Sequence, residues 1–304
     1  MPRTAVVTGA FSFSGRYITR HLLAAGWRVR TLTGRQPGVD PFAGQVPTAP
    51  LDFARPEALA QAMEGARVLI NTYWVRFPHG HVDYGQAVQN SLVLFESARR
   101  AGVRRVVHTS ITNPCLTSPL GYFSGKARVE QALLRTGLSH AVLRPAVLFG
   151  PEDILINNIA FLVRRLPVFG VPRAACRLQP IHVDDFARLC AEAAESDEDR
   201  IVDAVGPETY GLGELARLIA GILGRRIWTV RVPDWLMYGA ALALGLVLRD
   251  RVLTWEEIQG LGAGLLVSAE PPQGTTSLAG WMRDHRDQLG ARYASEMQRH
   301  YAAH

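Results

Sequence analysis

The segment Tyr122-Phe123-Ser124-Gly125-Lys126 places a phenol and an ammonium four residues apart. On a helix, residues four apart lie on one face, one turn from each other. An ammonium beside a phenol stabilises the phenolate, so Tyr122 can exchange a proton with a substrate hydroxyl. Ser110 stands at the end of an apolar run and can polarise the same oxygen by hydrogen bonding. The spacing predicts carbonyl or hydroxyl chemistry with Ser110, Tyr122 and Lys126 as the catalytic residues.

The chain has 304 residues and 33 of them are Lys or Arg. Arginine accounts for 32 of these, and Lys126 is the only lysine. A planar guanidinium is a poor substitute for a compact ammonium that must reach ribose hydroxyls. The single lysine therefore favours a specific role beside Tyr122. The alternative is that the two share a helix by chance and that Ser110 only ends a strand.

A glycine-containing turn follows the first apolar run, with the sequence Thr-Gly-Ala-Phe-Ser-Phe-Ser-Gly over residues 8–15. A turn between a strand and a helix is where dinucleotides bind, because the amides that open the helix face the pyrophosphate. Ser12 stands where the usual fingerprint has its middle glycine, so its hydroxymethyl group must point away from the phosphates or donate to one. The alternative is an ordinary strand–turn–helix corner. We predict cofactor contacts from Gly9, Phe11, Ser12, Phe13 and Gly15.

The end of the second strand, Thr31-Leu32-Thr33-Gly34-Arg35, contains no carboxylate. An acidic residue is expected there when the ribose hydroxyl of NAD is bound. Thr33 and Arg35 could instead hold a 2'-phosphate through a charge-assisted hydrogen bond. NADP is therefore the predicted cofactor, with NAD as the alternative, and Arg35 as a solvated loop residue is the competing interpretation.

Apolar runs alternate with amphipathic segments of helical length through the first half of the chain. This pattern predicts a doubly wound parallel sheet, a Rossmann-like α/β fold, with a smaller and mostly helical C-terminal region. We predict a dinucleotide-binding domain over 1–150, to which 181–205 return, and a substrate-binding region over 151–180 and 206–304. The predicted strands are 5–8, 28–31, 68–71, 105–110 and 140–143, and the predicted helices are 15–25, 56–63, 84–101 and 122–136.

With these motifs the sequence resembles the short-chain dehydrogenase/reductase superfamily, in the extended or atypical branch that includes NAD(P)-dependent epimerase/dehydratases. Further matches are Leu143-Arg144-Pro145 and His182-Val183-Asp184-Asp185. The resemblance implies that Asp52 and Phe53 contact adenine and that Asn71 and Pro145 lie beside the cofactor. It also implies that Lys126 orients the ribose and that residues after Gly150 form the substrate lid.

Segments 108–110, 144–145 and 148–153 are also similar to the NADPH-holding accessory subunit of respiratory complex I. A protein of this kind can hold the cofactor without turning it over, so two classes of function compete. One is an NADP-dependent oxidoreductase, and the other is a non-catalytic NADPH-binding structural or sensing protein. The Tyr122 and Lys126 pair favours the enzyme, because a binding protein needs no acid/base.

The C-terminal part is rich in apolar and aromatic residues, which favours an apolar small-molecule substrate, although an ordinary core would have the same composition. These residues are Trp228, Trp235, Met237, Tyr238, Trp255 and the run 242–248. Arg173 and Arg177 could instead bind a diphosphate, which leaves a nucleotide-sugar epimerase or dehydratase as an alternative. As solvated loop residues they would have no such role.

The formal charge of +6 is dispersed along the chain, and nothing in its distribution indicates nucleic-acid binding. The apolar segment 235–248 is shorter than the roughly 20 residues that span a bilayer. We therefore expect no integral span and a buried or interfacial helix, with peripheral membrane association left open. A homodimer is also left open, since family members often pair through the helix that carries the tyrosine.

Three scattered cysteines, Cys115, Cys176 and Cys190, do not form a disulfide framework or a zinc site. Two histidines, His79 and His81, lack a nearby third ligand, so we expect no metal. The N-terminus has no basic segment and apolar core of a signal peptide. A cytoplasmic location is the expectation.

Overall fold

The computed structural model describes residues 3–34, 40–78, 80 and 82–297. Short strands alternate with helices through the first half of the chain, and smaller two-stranded sheets follow in the second half. The strands are β1 (Thr4–Thr8), β2 (Arg28–Thr33), β3 (Thr48–Pro50), β4 (Val68–Asn71), β5 (Arg105–Thr109), β6 (Ser139–Pro145), β7 (Val147–Phe149), β8 (Val168–Pro172), β9 (Arg177–Leu178), β10 (Pro180–His182), β11 (Arg200–Ala204), β12 (Tyr210–Gly211) and β13 (Trp228–Val232).

Most helices begin and end within two residues of the bounds that the sequence predicts for the first half of the chain. The helices are α1 (Phe13–Ala24), α2 (Pro56–Met63), α3 (Tyr84–Arg100), α4 (Gly121–Arg135), α5 (Leu155–Arg165), α6 (Val183–Glu195), α7 (Leu212–Ile222), α8 (Asp234–Leu248), α9 (Trp255–Gly262) and α10 (Leu278–Asp284).

The chain divides into two compact units. The first unit comprises Met1–Pro145 and Val183–Ala204, and the second comprises Ala146–His182 and Val205–His304. Each unit has a hydrophobic core of its own.

The first unit is built on a seven-stranded parallel sheet in the order β11-β6-β5-β4-β1-β2-β3. All four residues of β4 are buried, as expected for a central strand of a sheet that is covered on both faces. Helices α1 and α6 pack against each other, whereas α2, α3 and α4 share a second apolar cluster with the strands. The doubly wound α/β fold predicted from the sequence is confirmed.

The order of the strands reverses between β1 and β4. The chain leaves β1 toward β2 and β3, then crosses back to β4 and continues to β5 and β6. In such sheets the carboxyl ends of the two strands flank a crevice in which ligands bind. Thr8 and Asn71 end these strands, so the fold places the candidate site at this edge of the first unit.

The second unit packs α5, α7 and α10 around an apolar core that includes Phe149, Leu215 and Met282. Three two-stranded sheets pair β10 with β7, β12 with β9 and β13 with β8. One face of the β13–β8 sheet packs on α7, because a Cβ added at Gly213 would lie 3.3 Å from Val171 and 3.8 Å from Thr229.

Helix α8 corrects two sequence-based interpretations. Ala241 is its only buried residue, so this segment is not the buried helix that its composition allowed. Trp228 and Trp235 are 77% and 69% exposed, so the core interpretation is wrong for both of these side chains. These side chains are exposed because they lie on the outward side of β13 and α8. No helix within the described ranges is both long enough and apolar enough to cross a bilayer.

Candidate active site

The turn after β1 requires both of its glycines. Gly9 has a φ of +68°, a left-handed conformation that side chains disfavour. Its amide donates to the Leu32 carbonyl at 2.8 Å, and its carbonyl accepts from the Ser12 amide at 2.8 Å. A Cβ added at Gly15 would lie 2.0 Å from the Gly9 carbonyl oxygen. Strand and helix therefore approach at a distance that no residue with a side chain permits.

Ser12 is the N-cap of α1, and its Oγ accepts a hydrogen bond from the Gly15 amide at 3.2 Å. The Ser12 hydroxyl thus caps the helix and keeps its own proton available to another acceptor. The first turn of α1 has no carboxylate. The positive end of the helix dipole is therefore uncompensated, and the turn fits a pyrophosphate. The two flanking rings pack locally, Phe11 on Phe42 and Phe13 on Tyr17.

Asn71 links the carboxyl ends of three strands. Its Oδ1 accepts from the Thr8 hydroxyl at 3.3 Å and from the Tyr73 amide at 3.0 Å, and its Nδ2 lies 3.1 Å from His108 Nδ1. Because an amide nitrogen can only donate, Nδ1 accepts and the neutral ring carries its proton on Nε2. Burial, followed by the charge of Lys126, holds the pKa of His108 well below its usual range. The sequence reasoning missed His108, whose buried position in a strand-like run gave no signal.

Lys126 is hydrogen-bonded to the end of the strand that leads into Ser110. Lys126 is 2% exposed, and its Nζ donates at 2.7 Å to the carbonyl of Thr109, the residue before Ser110. The Ser110 hydroxyl is buried and has no hydrogen-bond partner among the described residues, and the same holds for the Thr109 hydroxyl. Buried hydroxyls without partners are uncommon, and at the edge of a parallel sheet they mark a place for a ligand oxygen.

The charge of Lys126 is strongly affected by its surroundings. Burial lowers the pKa of its ammonium to about 7, although the nearby Glu130 carboxylate acts in the opposite direction. Glu130 is itself paired with the Arg144 guanidinium, whose Nε lies 3.0 Å from Oε1. Lys126 can therefore gain or lose its proton near neutral pH.

Tyr122 lies among aromatic rings near the N-terminus of α4. The ring centroids of Trp74 and Tyr84 are 5.9 and 6.0 Å from that of Tyr122, both edge to face. Trp74 and Tyr84 also stack on each other, and we call these two residues the aromatic wall. Lys126 Nζ lies 4.7 Å from the Trp74 ring centroid. The sequence reasoning missed this role of Trp74, although a large residue at this position was a signal.

The other predicted cofactor residues lie at strand ends of the same unit. Thr33 ends β2 and Pro145 ends β6. The Asp52 carboxylate accepts from Arg55 Nε at 2.6 Å, and this hydrogen bond lowers the pKa of Asp52. Phe53 packs on Tyr73 with ring centroids 4.7 Å apart.

The remaining predicted residues fall into two groups. Arg35, His79 and His81 lie outside the described residues. Arg173 and Arg177 are exposed and belong to the second unit.

Residues 5–210 match the model of the NAD dependent epimerase/dehydratase family. The match confirms the resemblance to epimerase/dehydratases that the sequence motifs indicated.

Two relatives align over most of their length. The chain is 29% identical to the ceramide reductase of Caulobacter vibrioides, over 75% of this chain and 73% of that protein. It is 24% identical to the mitochondrial NADH-ubiquinone oxidoreductase 40 kDa subunit of Neurospora crassa, over 84% of this chain and 70% of that protein.

Among solved structures, the chain is similar to the Citrobacter sp. triphenylmethane reductase complexed with NADP(H). The TM-score is 0.78 at 17% identity, and the match covers 92% of this chain and 99% of that one. At this identity the likeness establishes the fold alone.

Proposed function

This chain belongs to the NAD dependent epimerase/dehydratase family, whose cofactor is a nicotinamide dinucleotide, and we propose that it is an NADP(H)-dependent oxidoreductase of the short-chain dehydrogenase/reductase type. Its reaction is the interconversion of a carbonyl and a hydroxyl group on an apolar small molecule. Ser110, Tyr122 and Lys126 are the catalytic residues.

One observation carries the proposal. The only lysine of the chain is buried four residues after Tyr122 and donates to the carbonyl of Thr109, the residue before Ser110, whose hydroxyl has no partner among the described residues. An ammonium is costly to bury, so its place in the core needs a compensating role. Proton exchange at Tyr122 supplies that role, because a phenolate is stabilised by a nearby cation.

When bound, NADPH would supply hydride to the carbonyl carbon of the substrate, and NADP+ would accept hydride from the corresponding alcohol. The residues that would hold it are Gly9, Ser12 and Gly15 at the pyrophosphate and Lys126 at the ribose. Asp52, Phe53, Asn71 and Pro145 are proposed to line the adenine and nicotinamide ends. Preference for NADP rests on Thr33 and Arg35, where NAD-binding proteins usually have a carboxylate.

In the reductive direction, Ser110 Oγ donates a hydrogen bond to the carbonyl oxygen and polarises it. Tyr122 then donates its hydroxyl proton to that oxygen as negative charge develops there. Lys126 stabilises the resulting phenolate, and a lysine whose pKa lies near 7 can pass on a proton at neutral pH. In the oxidative direction the same groups act in reverse.

The aromatic wall supports an apolar substrate, because Trp74 and Tyr84 present ring surface rather than charge beside Tyr122. One relative is named as a ceramide reductase, and ceramide is a lipid rather than a nucleotide sugar. We therefore propose a lipid or other hydrophobic carbonyl compound as the substrate. A nucleotide sugar is less well supported, since Arg173 and Arg177 are exposed in the second unit.

The experiment is steady-state oxidation of NADPH by a panel of hydrophobic ketones, aldehydes and nucleotide sugars. Tyr122→Phe is expected to lower kcat by about 100-fold to 10,000-fold, the usual contribution of a general acid. Tyr84→Phe is the matched control, because it also removes one phenol oxygen, which donates to the Arg76 carbonyl. Equal losses in the two variants would contradict the assignment of Tyr122.

A second candidate is a cofactor-holding protein without turnover, which the similarity to a subunit of NADH-ubiquinone oxidoreductase favours. It predicts tight NADPH binding and no NADPH oxidation with any member of the panel. The same measurement therefore separates the two candidates.

A further inference from the structure

The solvent-exposed side of α8 is apolar along its whole length. Its exposed large side chains are Trp235, Leu236, Leu242, Leu246 and Val247, and we call them the apolar face of α8. Leu246 and Val247 are 83% and 79% exposed. The remaining exposed positions of the helix are glycine or alanine. A surface helix of a water-soluble domain normally turns polar residues outward, whereas this helix is apolar on its exposed side as well as on its inner side.

The apolar surface does not stop at the helix. Strand β13 leads directly into α8, and Trp228 and Val230 lie on the same face of β13 because they are two residues apart. Trp228 pairs with Val168 of β8, and all three side chains are exposed. The other face of this two-stranded sheet packs on α7, so Trp228, Val230 and Val168 lie on the face that points away from α7.

Arginines flank these apolar residues. Exposed arginines precede β13 and follow α8, at Arg225, Arg226, Arg249 and Arg251, whereas Arg231 lies on the side of β13 that faces α7. The stretch 225–251 contains two carboxylates, Asp234 and Asp250. Asp250 is buried and accepts from the Tyr293 hydroxyl and from the amides of Glu296 and Met297, so its charge is directed inward.

An open depression of about 380 Å³ lies next to Trp228 and is lined in part by Arg217, Arg225 and Arg226. Arginine guanidinium groups bind phosphate oxygens through paired hydrogen bonds. The depression therefore combines an anion-binding lining with an exposed indole, which is the residue type that favours the boundary between lipid headgroups and acyl chains.

We propose that α8 and the exposed face of the β13–β8 sheet bind the surface of an anionic phospholipid bilayer. The apolar face of α8 enters the boundary between headgroups and acyl chains, and the flanking arginines contact lipid phosphates. At 1.5 Å per residue, the 15 residues of α8 extend about 22 Å, less than the roughly 30 Å hydrocarbon core, so the helix lies in the plane of the membrane.

The charge around the apolar face of α8 favours an anionic bilayer, rather than a second copy of this chain, as the partner of this surface. A two-fold interface brings the same patch of both copies together, so it would bring the four flanking arginines of each copy into one interface. Anionic headgroups instead offer the opposite charge at the rim of an apolar surface. The proposal does not depend on the proposed reaction, because the surface belongs to the second unit and the catalytic residues to the first.

The test is co-sedimentation of the full chain with phosphatidylcholine vesicles that contain about a third phosphatidylglycerol, compared with vesicles of phosphatidylcholine alone. We expect at least tenfold stronger partitioning onto the anionic vesicles, and a weaker preference at high salt. The double variant Leu246→Gln, Val247→Gln is expected to lower this partitioning at least tenfold with an unchanged Tm. Leu134→Gln, an exposed leucine of α4, is the matched control and is expected to bind as the wild type does.

Charge reversal tests the basic rim separately. Arg226→Glu together with Arg249→Glu is expected to abolish the preference for anionic over neutral vesicles. Failure of the wild type to sediment with either kind of vesicle would overturn the proposal. It would also be overturned by vesicle binding that the Leu246 and Val247 substitutions leave intact, or by self-association in analytical ultracentrifugation that those substitutions abolish.

Discussion

The ammonium of Lys126 lies 4.7 Å from the centroid of the Trp74 ring. The only lysine of the chain thus contacts an indole, while its hydrogen bond goes to a backbone carbonyl rather than to a carboxylate. A cation in such surroundings loses most of its hydration, and this loss brings its pKa to about 7. Trp74 therefore helps to set the protonation state of the residue that we propose supports Tyr122.

The pH dependence of turnover follows from this contact. If the ammonium form of Lys126 supports catalysis, kcat/KM for carbonyl reduction falls as the pH rises above about 7. Trp74→Leu admits water, and because burial is the largest cause of the lowered pKa, the alkaline limb is expected to move to higher pH. The lost cation–π contact, worth about 0.5–2 kcal/mol, acts in the opposite direction but is the smaller effect. Trp74→Phe keeps a ring and is the matched control; an alkaline limb at the same pH in all three proteins would contradict this account.

Stability has its own pH dependence at Lys126. The folded-state pKa of about 7 lies below the unfolded value of 10.5, so the unfolded chain binds more protons between these values and stability rises with pH through this window. Below about pH 7 the buried ammonium is fully destabilising. Lys126→Met is therefore expected to raise Tm relative to the wild type at pH 6, by an amount that shrinks toward pH 10. Thermal unfolding across this range checks the prediction, and an advantage that grows with pH would refute it.

Gly15 is expected to tolerate no side chain. Gly15→Ala puts a Cβ at 2.0 Å from the Gly9 carbonyl oxygen, so the turn must shift. We expect at least tenfold weaker NADPH binding and a lower Tm, since overpacking typically costs about 1–3 kcal/mol. Gly221→Ala in α7 meets nothing within 4 Å and is expected to leave both quantities unchanged or to raise Tm. Fluorescence titration with NADPH and thermal unfolding measure the two effects, and wild-type binding by Gly15→Ala would contradict the proposed phosphate site.

Asn71 is expected to be structurally essential at the strand ends. Asn71→Ala leaves His108 Nδ1 and the Tyr73 amide without this partner, and each buried unsatisfied group costs about 1–3 kcal/mol, whereas the Thr8 hydroxyl keeps the Ile70 carbonyl and the Thr72 amide. We expect a loss of several kcal/mol in the free energy of unfolding by urea. Gln86→Ala removes one hydrogen bond, to Asn90 in α3, and is expected to cost less than about 1 kcal/mol. Comparable losses in the two variants would show that the Asn71 contacts are not stabilising.

The sequence predicted the first unit well because its signals are local. Buried parallel strands are continuous apolar runs, and the turn at Gly9 and Gly15 needs glycine for reasons that act within eight residues. The spacing of Tyr122 and Lys126 is likewise a property of one helix. Such features can be predicted without knowledge of tertiary contacts.

The contacts that the sequence did not predict join distant segments. Trp74 meets Lys126 across 52 positions of the chain, and His108 meets Asn71 across 37. In the second unit, the apolar composition of α8 left both a buried and an interfacial helix open, because composition alone does not say whether another element covers a helix. The exposure of Trp228 and Trp235 could be learned only from the folded chain.

The most direct test of the central claim is a single turnover. Wild type and Tyr122→Phe are each saturated with NADPH, as judged by nicotinamide fluorescence, and mixed with the most reactive carbonyl compound of the panel. The account predicts equal NADPH occupancy and a rate of NADPH oxidation at least 100-fold lower in Tyr122→Phe. Equal rates at equal occupancy would contradict the role of Tyr122 as the proton donor, and absence of oxidation in the wild type would favour the cofactor-holding protein.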